Sequence, residues 1–407
     1  MKQQELIPHL FRTEFTKIIA VLCKLLGIGH IDIAEDIASE TFVAALESWS
    51  YQGIPPSPVG WLYSVAKNKA KNHITRNHIF SEKIFPQIKN NSPAVQEIEI
   101  DLSEKNITDS QLQMLFALCH PSISVESQVG LSLRILCGFG IDEIANAFLT
   151  NKETINKRLT RAKEKLREEN IKIEFPLPKE IDNRLETVLA TLYLLFNEGY
   201  YSESNDNVLR EDFCLEAMRL VYLLIENEQT NLPKVKALFS LMCFHSSRFA
   251  ARKNDNSEIV LYQDQDESLW NQELIAKGAY YLHLASKGNY FSAYHLQASI
   301  AYWNTIKEDS EEKWENILQL YNKLLQIQYS PIAALNRTYA LAKANGKNQA
   351  IIEAEKLQLT NNHYYYTLLG ELYVDIDNKK SNEHFSRALS LAKTQAEKNL
   401  LMKKLGL

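Results

Sequence analysis

Between residues 141 and 166 the chain reads IDEIANAF, then LTN, then KETINKRLTRAKEKL. Ile155, Leu159, Ala162 and Leu166 recur at i, i+4, i+7 and i+11, the spacing of one buried stripe on a helix. Ile141, Ile144, Ala145 and Phe148 form a second stripe, and only the three residues 149–151 separate the two helical segments. A connection that short turns one helix sharply against the next, the layout of a helix-turn-helix. Helical periodicity runs on through most of the 407 residues, and Gly (13) and Pro (11), which punctuate sandwiches and barrels, are scarce. The fold class is therefore predicted as all-α.

The breaks in the period divide the chain. Residues 1–80 read as helices interrupted by Gly27 and Gly29 and by Gly53-Ile-Pro-Pro-Ser-Pro58. Residues 81–108 carry Asn-Asn-Ser-Pro and the acids Glu97, Glu99, Asp101 and Glu104, and are expected to be a flexible acidic linker. Residues 109–170 are helical again, and 171–181 form a Pro-marked joint. From 182 to 407 helix follows helix with brief polar turns. Near the end, Tyr366, Leu369, Gly370, Tyr373, Phe385 and Ala388 can be laid on a tetratricopeptide pattern, with the step from Tyr373 to Phe385 one residue short.

Charge narrows the function. Residues 1–169 hold 19 Lys and Arg against 20 Asp and Glu, so any nucleic-acid contact must use local basic faces. Three local faces stand out. In residues 32–49, Asp32, Glu35, Asp36 and Glu40 fall at i, i+3, i+4 and i+8 on one helix face, with Ala34, Ile37, Ala38, Thr41, Ala45 and Trp49 on the other. Such an acidic face is ordinarily a solvated surface; its sharper reading is a dock for a basic partner. Residues 57–76 contain Lys67, Lys69, Lys71 and Arg76 with no acid, and Trp61 and Tyr63 precede them. Cations track phosphates and aromatic rings stack on unpaired bases, so this pattern suits single-stranded nucleic acid. From 152 to 168 seven Lys and Arg stand against three Glu, as in a recognition helix whose first residues reach base edges while later cations meet phosphates.

No apolar run approaches the ~20 residues of a membrane span, and MKQQELIPHLFRTEF lacks the apolar core of a secretion signal. The five Cys are spread without a CxxC, which points to buried thiols and a reducing, cytoplasmic setting. Glu198, His245, Asp264 and Asp266 would have to form any metal or acid–base site. Their spacing is weak for that, and helix capping by Asp264 or Asp266 ahead of SLWNQELIAKG is the reading preferred. Cys119, His120 and Cys137 are likewise too scattered for zinc. No enzyme, cofactor or metal is expected.

AEDIASETFVAALESW (34–49), PVGWLYSVAKNKAKNHITR (58–76) and IDEIANAFLTNKETINKRLTRAKEKL (141–166) together resemble a bacterial RNA polymerase sigma factor of the extracytoplasmic-function type. LYLLFNEGYYSES (192–204), QDQDESLWNQELI (263–275), YHLQASIAYWN (294–304) and SPIAALNRTYALA (330–342) resemble the subgroup with a fused tetratricopeptide-like C-terminal domain. The resemblance implies a region 2 bundle at 1–80, which binds core polymerase and the minus-ten element, and a region 4 helix-turn-helix at 109–170. It implies a helical regulatory or interaction domain at 182–407 that meets a protein or peptide partner. By that resemblance Asp32, Glu35, Asp36, Glu40, Phe42 and Trp49 grip core polymerase. Trp61, Asn68, Lys69, Asn72, His73 and Arg76 read and melt the minus-ten element. Lys152, Thr154, Lys157, Arg158, Arg161 and Lys165 bind the minus-thirty-five element. Family members often carry Asp where Asn72 or His73 stands. The partners implied are bacterial core RNA polymerase and promoter DNA, with no membrane. The alternative is a one-component helix-turn-helix regulator whose helical domain senses a peptide or ligand; it leaves the acidic helix and the basic helix after Pro58 without a role.

Overall fold

The computed structural model describes residues 3–84, 100–148, 150–200, 210–252, 260, 262–288, 291–392 and 395–407. Among them are eighteen α-helices and no strand, as the period requires. The chain divides into two compact units, Met1–Leu195 and Phe196–Leu407.

The first unit begins with three helices, α1 (Gln3–Leu26), α2 (Ile31–Gln52) and α3 (Pro58–Ile84). Gly27 (φ 89°) and Gly53 (φ 81°) hold left-handed backbone after α1 and α2, a conformation that side chains with a Cβ resist. Ile18, Ile19 and Leu22 of α1, Ala34, Ala38 and Ala45 of α2, and Leu62, Ala66 and Ala70 of α3 are all fully buried between the three. Small residues at the α2 and α3 positions let the helix axes approach closely. Phe11 stacks on Phe15 (4.4 Å) and meets Phe42 edge-on (5.1 Å), closing one end.

Next come α4 (Glu104–Leu118), α5 (Val125–Leu131), which runs into a π-helical turn at Ser132–Leu136, α6 (Ile141–Ala147), α7 (Lys152–Glu168) and α8 (Pro178–Tyr200). Ser103, Ser124 and Asn151 cap α4, α5 and α7 with side-chain oxygens that accept backbone N–H groups, satisfying donors a helix start leaves open. The stripe Ile155, Leu159, Ala162 and Leu166 is buried, as its spacing predicts. The expected linker at 81–108 is helical at both ends, because α3 continues to Ile84 and α4 already begins at Glu104; its middle, 85–99, lies outside the described residues. Ile100 and Leu102 just before α4 are buried, and α4 packs on α1. Residues expected to separate two domains thus lead into one packed unit. The end of α7 lies against the turn Ile28–His30, where a Cβ on Gly29 would meet Arg167 Cγ at 3.3 Å.

The second unit contains α9 (Glu211–Glu226), α10 (Pro233–Ser246), α11 (Gln272–Ala285), α12 (Ala293–Trp303), α13 (Glu311–Ile327), α14 (Pro331–Asn345), α15 (Lys347–Leu357), α16 (His363–Tyr373), α17 (Asn378–Leu391) and α18 (Gln395–Leu405). From α9 onward each helix packs on its chain neighbour, the local arrangement of helical-repeat proteins. In α16 and α17 the pattern residues Leu369, Gly370, Tyr373, Phe385 and Ala388 are buried. Gly370 sits so close to the Phe385 ring that a Cβ would lie 2.7 Å away, and the Ser381 hydroxyl donates to the Gly370 carbonyl at 2.8 Å. Asp266 caps only the short turn Glu267–Leu269, accepting from Ser268 N–H at 2.9 Å; α11 begins later and takes its cap from Asn271. No described helix is long and apolar enough to cross a membrane.

Candidate nucleic-acid interface

The acidic helix α2 has two kinds of side chain among the residues that the family resemblance assigned to polymerase. Phe42 (4% exposed) and Trp49 (2% exposed) belong to the core: Phe42 packs on Phe11 and Phe15, and Trp49 meets Trp61 edge-on at 5.4 Å. They support the helix and offer no surface to a partner, which corrects the expectation that they make contacts themselves. The surface is a shallow hollow of about 330 Å³ lined by Asp36, Ser39, Glu40, Val43, Ala44, Glu47 and Lys69. Val43 and Leu46 stand exposed between its carboxylates. The sequence reading left out Val43, Leu46 and Glu47; for Val43 and Leu46 the signal was an apolar residue at an otherwise polar helix position. A mixed acidic and apolar strip suits an amphipathic basic partner.

The other two acids of this face are already engaged. Glu35 is buried and accepts from Arg134 Nε at 2.8 Å and from Lys163 Nζ at 3.2 Å. Lys163 also pairs with Asp32. Burial alone would lower the Lys163 ammonium, but Glu35 and Asp32 overcome this and hold it above the ordinary lysine value. The buried thiol of Cys23 close by is pushed well above its ordinary value, first by burial and then by Glu35. Arg134 comes from the π-helical turn and Lys163 from α7, so the acidic helix is held by the helix-turn-helix half of the same unit.

Helix α3 gathers the second group. Pro58 opens it, where a missing N–H is harmless. Asn68, Asn72 and Arg76 lie one turn apart and are exposed. Lys69 donates to Glu40 at 2.8 Å, tying this face to α2. His73 is half-buried, and Trp61 is half-buried through its contact with Trp49. The Tyr63 hydroxyl donates to the buried Glu14 carboxylate at 2.5 Å, which together with burial raises its pKa and pins α3 to α1.

Helix α7 gathers the third. Thr154, Lys157, Arg161 and Lys165 point to solvent, while Arg158 is half-buried over the Phe148 ring at 5.7 Å. Lys157, Arg158, Arg161 and Lys165 line a groove of about 500 Å³ whose far wall is Ser122, Ser124 and Ser127. Four cations facing three hydroxyls make a polar trough suited to a phosphate backbone. Lys152 sits at the helix start in an exposed pair with Asp142 at 3.0 Å, and Lys165 pairs with Glu169 at 2.8 Å. The structure thus brings five of the six residues expected on this helix, Thr154, Lys157, Arg158, Arg161 and Lys165, to one groove, while Lys152 lies outside it beside Asp142.

Cys119 is enclosed and its thiol is raised to about 11, first by burial; the His120 ring pairs with Ser122 instead. In the second unit His245 lies beside Tyr200 (4.7 Å) and burial lowers it to about 3.

Residues 10–78 match the family Sigma-70 region 2, covering α1 to α3 up to the point where the acidic and basic faces end. Residues 184–286 match a family of unknown function, DUF6596. An uncharacterized protein, R00370, of Rhizobium meliloti (strain 1021) is 30% identical over 376 residues, which covers 90% of this chain and 88% of the relative. No solved structure matches the chain. Residues 10–78 are thus similar to a sigma-70 region 2, a segment that implies binding to core RNA polymerase, and the chain as a whole belongs to one family with the Rhizobium protein along nine-tenths of its length.

Proposed function

We propose that the chain is a transcription initiation factor of the extracytoplasmic-function type, with activity controlled by its fused C-terminal helices. The observation that carries this reading is the pairing of a region 2 bundle with a capped, basic helix-turn-helix in one chain. Region 2 supplies the strip Asp36, Glu40, Val43, Leu46 and Glu47 to core polymerase. Asn68, Asn72 and Arg76 face the minus-ten element, with Trp61 at the entrance of the helix. Thr154 and Lys157, near the start of α7, reach base edges of the minus-thirty-five element, and Arg158, Arg161 and Lys165 hold its phosphates. Phosphate contacts set the register and a few side chains choose the sequence. Opening the duplex is offset by binding the unstacked bases of one strand. The tetratricopeptide-like helices of the second unit offer a surface for a protein or peptide that sets the activity of the first.

The test is transcription in vitro with core polymerase on a pool of genomic promoters, comparing the full chain with residues 1–200. That fragment keeps α8, whose first part belongs to the N-terminal unit. Specific initiation that changes in level on removal of the second unit is expected. Tight duplex binding without initiation from either protein would favour a one-component regulator instead.

A further inference from the structure

In the second unit, the turns between α10 and α11 gather polar groups that the fold leaves without partners. Arg248, just past the end of α10, is 9% exposed. Its guanidinium lies over the Tyr262 ring, 5.4 Å from the centroid. The ring attracts the charge, yet Nε is enclosed with no hydrogen-bond partner, and among the described residues no carboxylate pairs with Arg248. Tyr262 stacks on Trp270 at 6.2 Å, and Asn271 N–H donates to the Ser247 carbonyl at 2.8 Å, which draws Trp270 toward Arg248. The Trp270 indole N–H is also enclosed and unpartnered. So is Oε1 of Gln265, whose Nε2 donates to the Val260 carbonyl at 3.2 Å.

Lys313 of α13, 1% exposed, brings a second cation to the same ring, 5.3 Å from its centroid. It donates to the Tyr262 hydroxyl at 3.0 Å and to the Ile306 carbonyl at 2.6 Å. Asp309, the carboxylate that acts on Lys313, is already shared by Lys343 at 2.7 Å and the Trp314 indole. Folded interiors rarely leave buried polar groups unpaired, and an unpaired cation is among the costliest. Neighbouring groups register the excess of positive charge. Burial, then Arg248 and Arg252, hold His245 down at about 3. Burial lowers Lys313, with Asp309 opposing and Lys343 and Arg248 adding to the effect. His245, Arg252 and Tyr262 are only half-buried, so the cluster reaches the surface.

We propose that this cluster binds a small oxyanion, the carboxylate or phosphate group of a metabolite. Arg248 and Trp270 donate to its oxygens, Lys313 supplies the second positive charge, and Gln265 Oε1 accepts from a hydroxyl on the same molecule. A guanidinium suits this task because its planar N–H groups meet an oxyanion two at a time. The recess selects for size: cations this enclosed admit one small group and not a helix or a nucleic-acid backbone. His245, Arg248, Tyr262, Gln265 and Trp270 all fall within 184–286, the segment matched by the family of unknown function. The inference goes beyond the promoter reading and does not rest on it, since it concerns the second unit alone.

The experiment follows indole N–H resonances of the full chain carrying isotope-labelled tryptophan. The probes are inorganic phosphate, acetate and citrate, with sodium chloride balancing the ionic strength. The Trp270 resonance, identified by its loss in Trp270→Phe, should move to saturation with at least one probe, at a Kd of about 1 mM or tighter. The indoles of Trp49 and Trp61 in the first unit should stay in place. A saturating probe should also raise the thermal midpoint of the second unit, because it binds the folded form. Arg248→Gln should weaken binding about 10-fold or more without lowering that midpoint in the probe-free chain, since it removes a buried unpaired charge. Should Arg248→Gln fail to fold, Arg248→Lys, which keeps the charge but loses the planar fork, should show a similar loss of about 10-fold. Phosphate binding more tightly than acetate and citrate would assign a phosphate group; the reverse order would assign a carboxylate. No saturation by any probe up to about 50 mM would overturn the proposal. So would movement that rises linearly and survives in the folded Arg248 variant, which would mean an adventitious ion only.

Discussion

The two units are held together in opposite ways. In the second, each helix packs on the helix before and after it, and one of its tight approaches, Gly370 against Phe385, spans only fifteen positions. In the first, α1 packs on α4 and α7 reaches back to α2, through ion pairs between residues more than a hundred positions apart in the case of Lys163. A stack of neighbours is stable wherever its local interfaces are. The first unit adds to its apolar core charge pairs between distant segments, which salt and competing charges weaken.

The sharpest break in this comparison is a cavity in the stack. Phe385→Ala should lower the stability of the second unit by about 3–5 kcal/mol, because the ring is 2% exposed and fills the space beside Gly370. Calorimetry should show the transition of that unit falling while that of the first stays, as nearest-neighbour packing requires. One cooperative shift of both transitions would contradict the division.

A smaller effect is expected in the first unit. Glu35→Ala leaves Arg134 and Lys163 without their shared carboxylate and should destabilise that unit by about 2–3 kcal/mol in urea titrations. A double-mutant cycle of Glu35 with Lys163 should give a coupling energy of about 1–3 kcal/mol that shrinks in salt. A coupling of zero would mean that packing alone closes the unit.

Acid should single out the second unit. Folding lowers His245 to about 3, first by burial and then by the neighbouring Arg248 and Arg252 charges. Below the ordinary value of about 6.5 the unfolded chain takes up a proton that the folded site refuses, so stability falls as pH falls through that window. Between pH 7 and pH 5 the loss from this group should be about 2 kcal/mol. His245→Gln should remove that part of the slope, and an unchanged pH profile would show that His245 does not carry it. The smallest change is Asp142→Asn. Its partner Lys152 is 60% exposed and Asp142 71%, so the pair should contribute no more than about 0.5 kcal/mol to thermal stability.

Much of the fold was legible because helices are local. The stripe from Ile155 to Leu166 and the short turn before it gave α6 and α7, and Asn151 caps α7 where a polar residue precedes the stripe. The basic faces of α3 and α7 were legible for the same reason: residues three and four apart share a side. Less legible was the role of each residue on α2. The helical spacing had set Trp49 on the apolar face while the family resemblance gave it, with Phe42, to polymerase, and the packing of Phe11, Phe15 and Trp61 decides for the core. The stretch 81–108 looked unstructured because polar and acidic residues dominate it, yet Ser103 caps a helix there and Ile100 and Leu102 find a core supplied by distant residues.

By itself, then, the amino-acid order determined where helices start and stop and which face of each is acidic, basic or apolar, since capping and periodicity act within one or two turns. The tertiary structure alone decided that Glu35 is buried and shared by Arg134 and Lys163, and that Val43 and Leu46 are left outside. Those outcomes depend on which distant surfaces meet, because the energy of a charge is set by the partners and water around it and not by its neighbours along the chain.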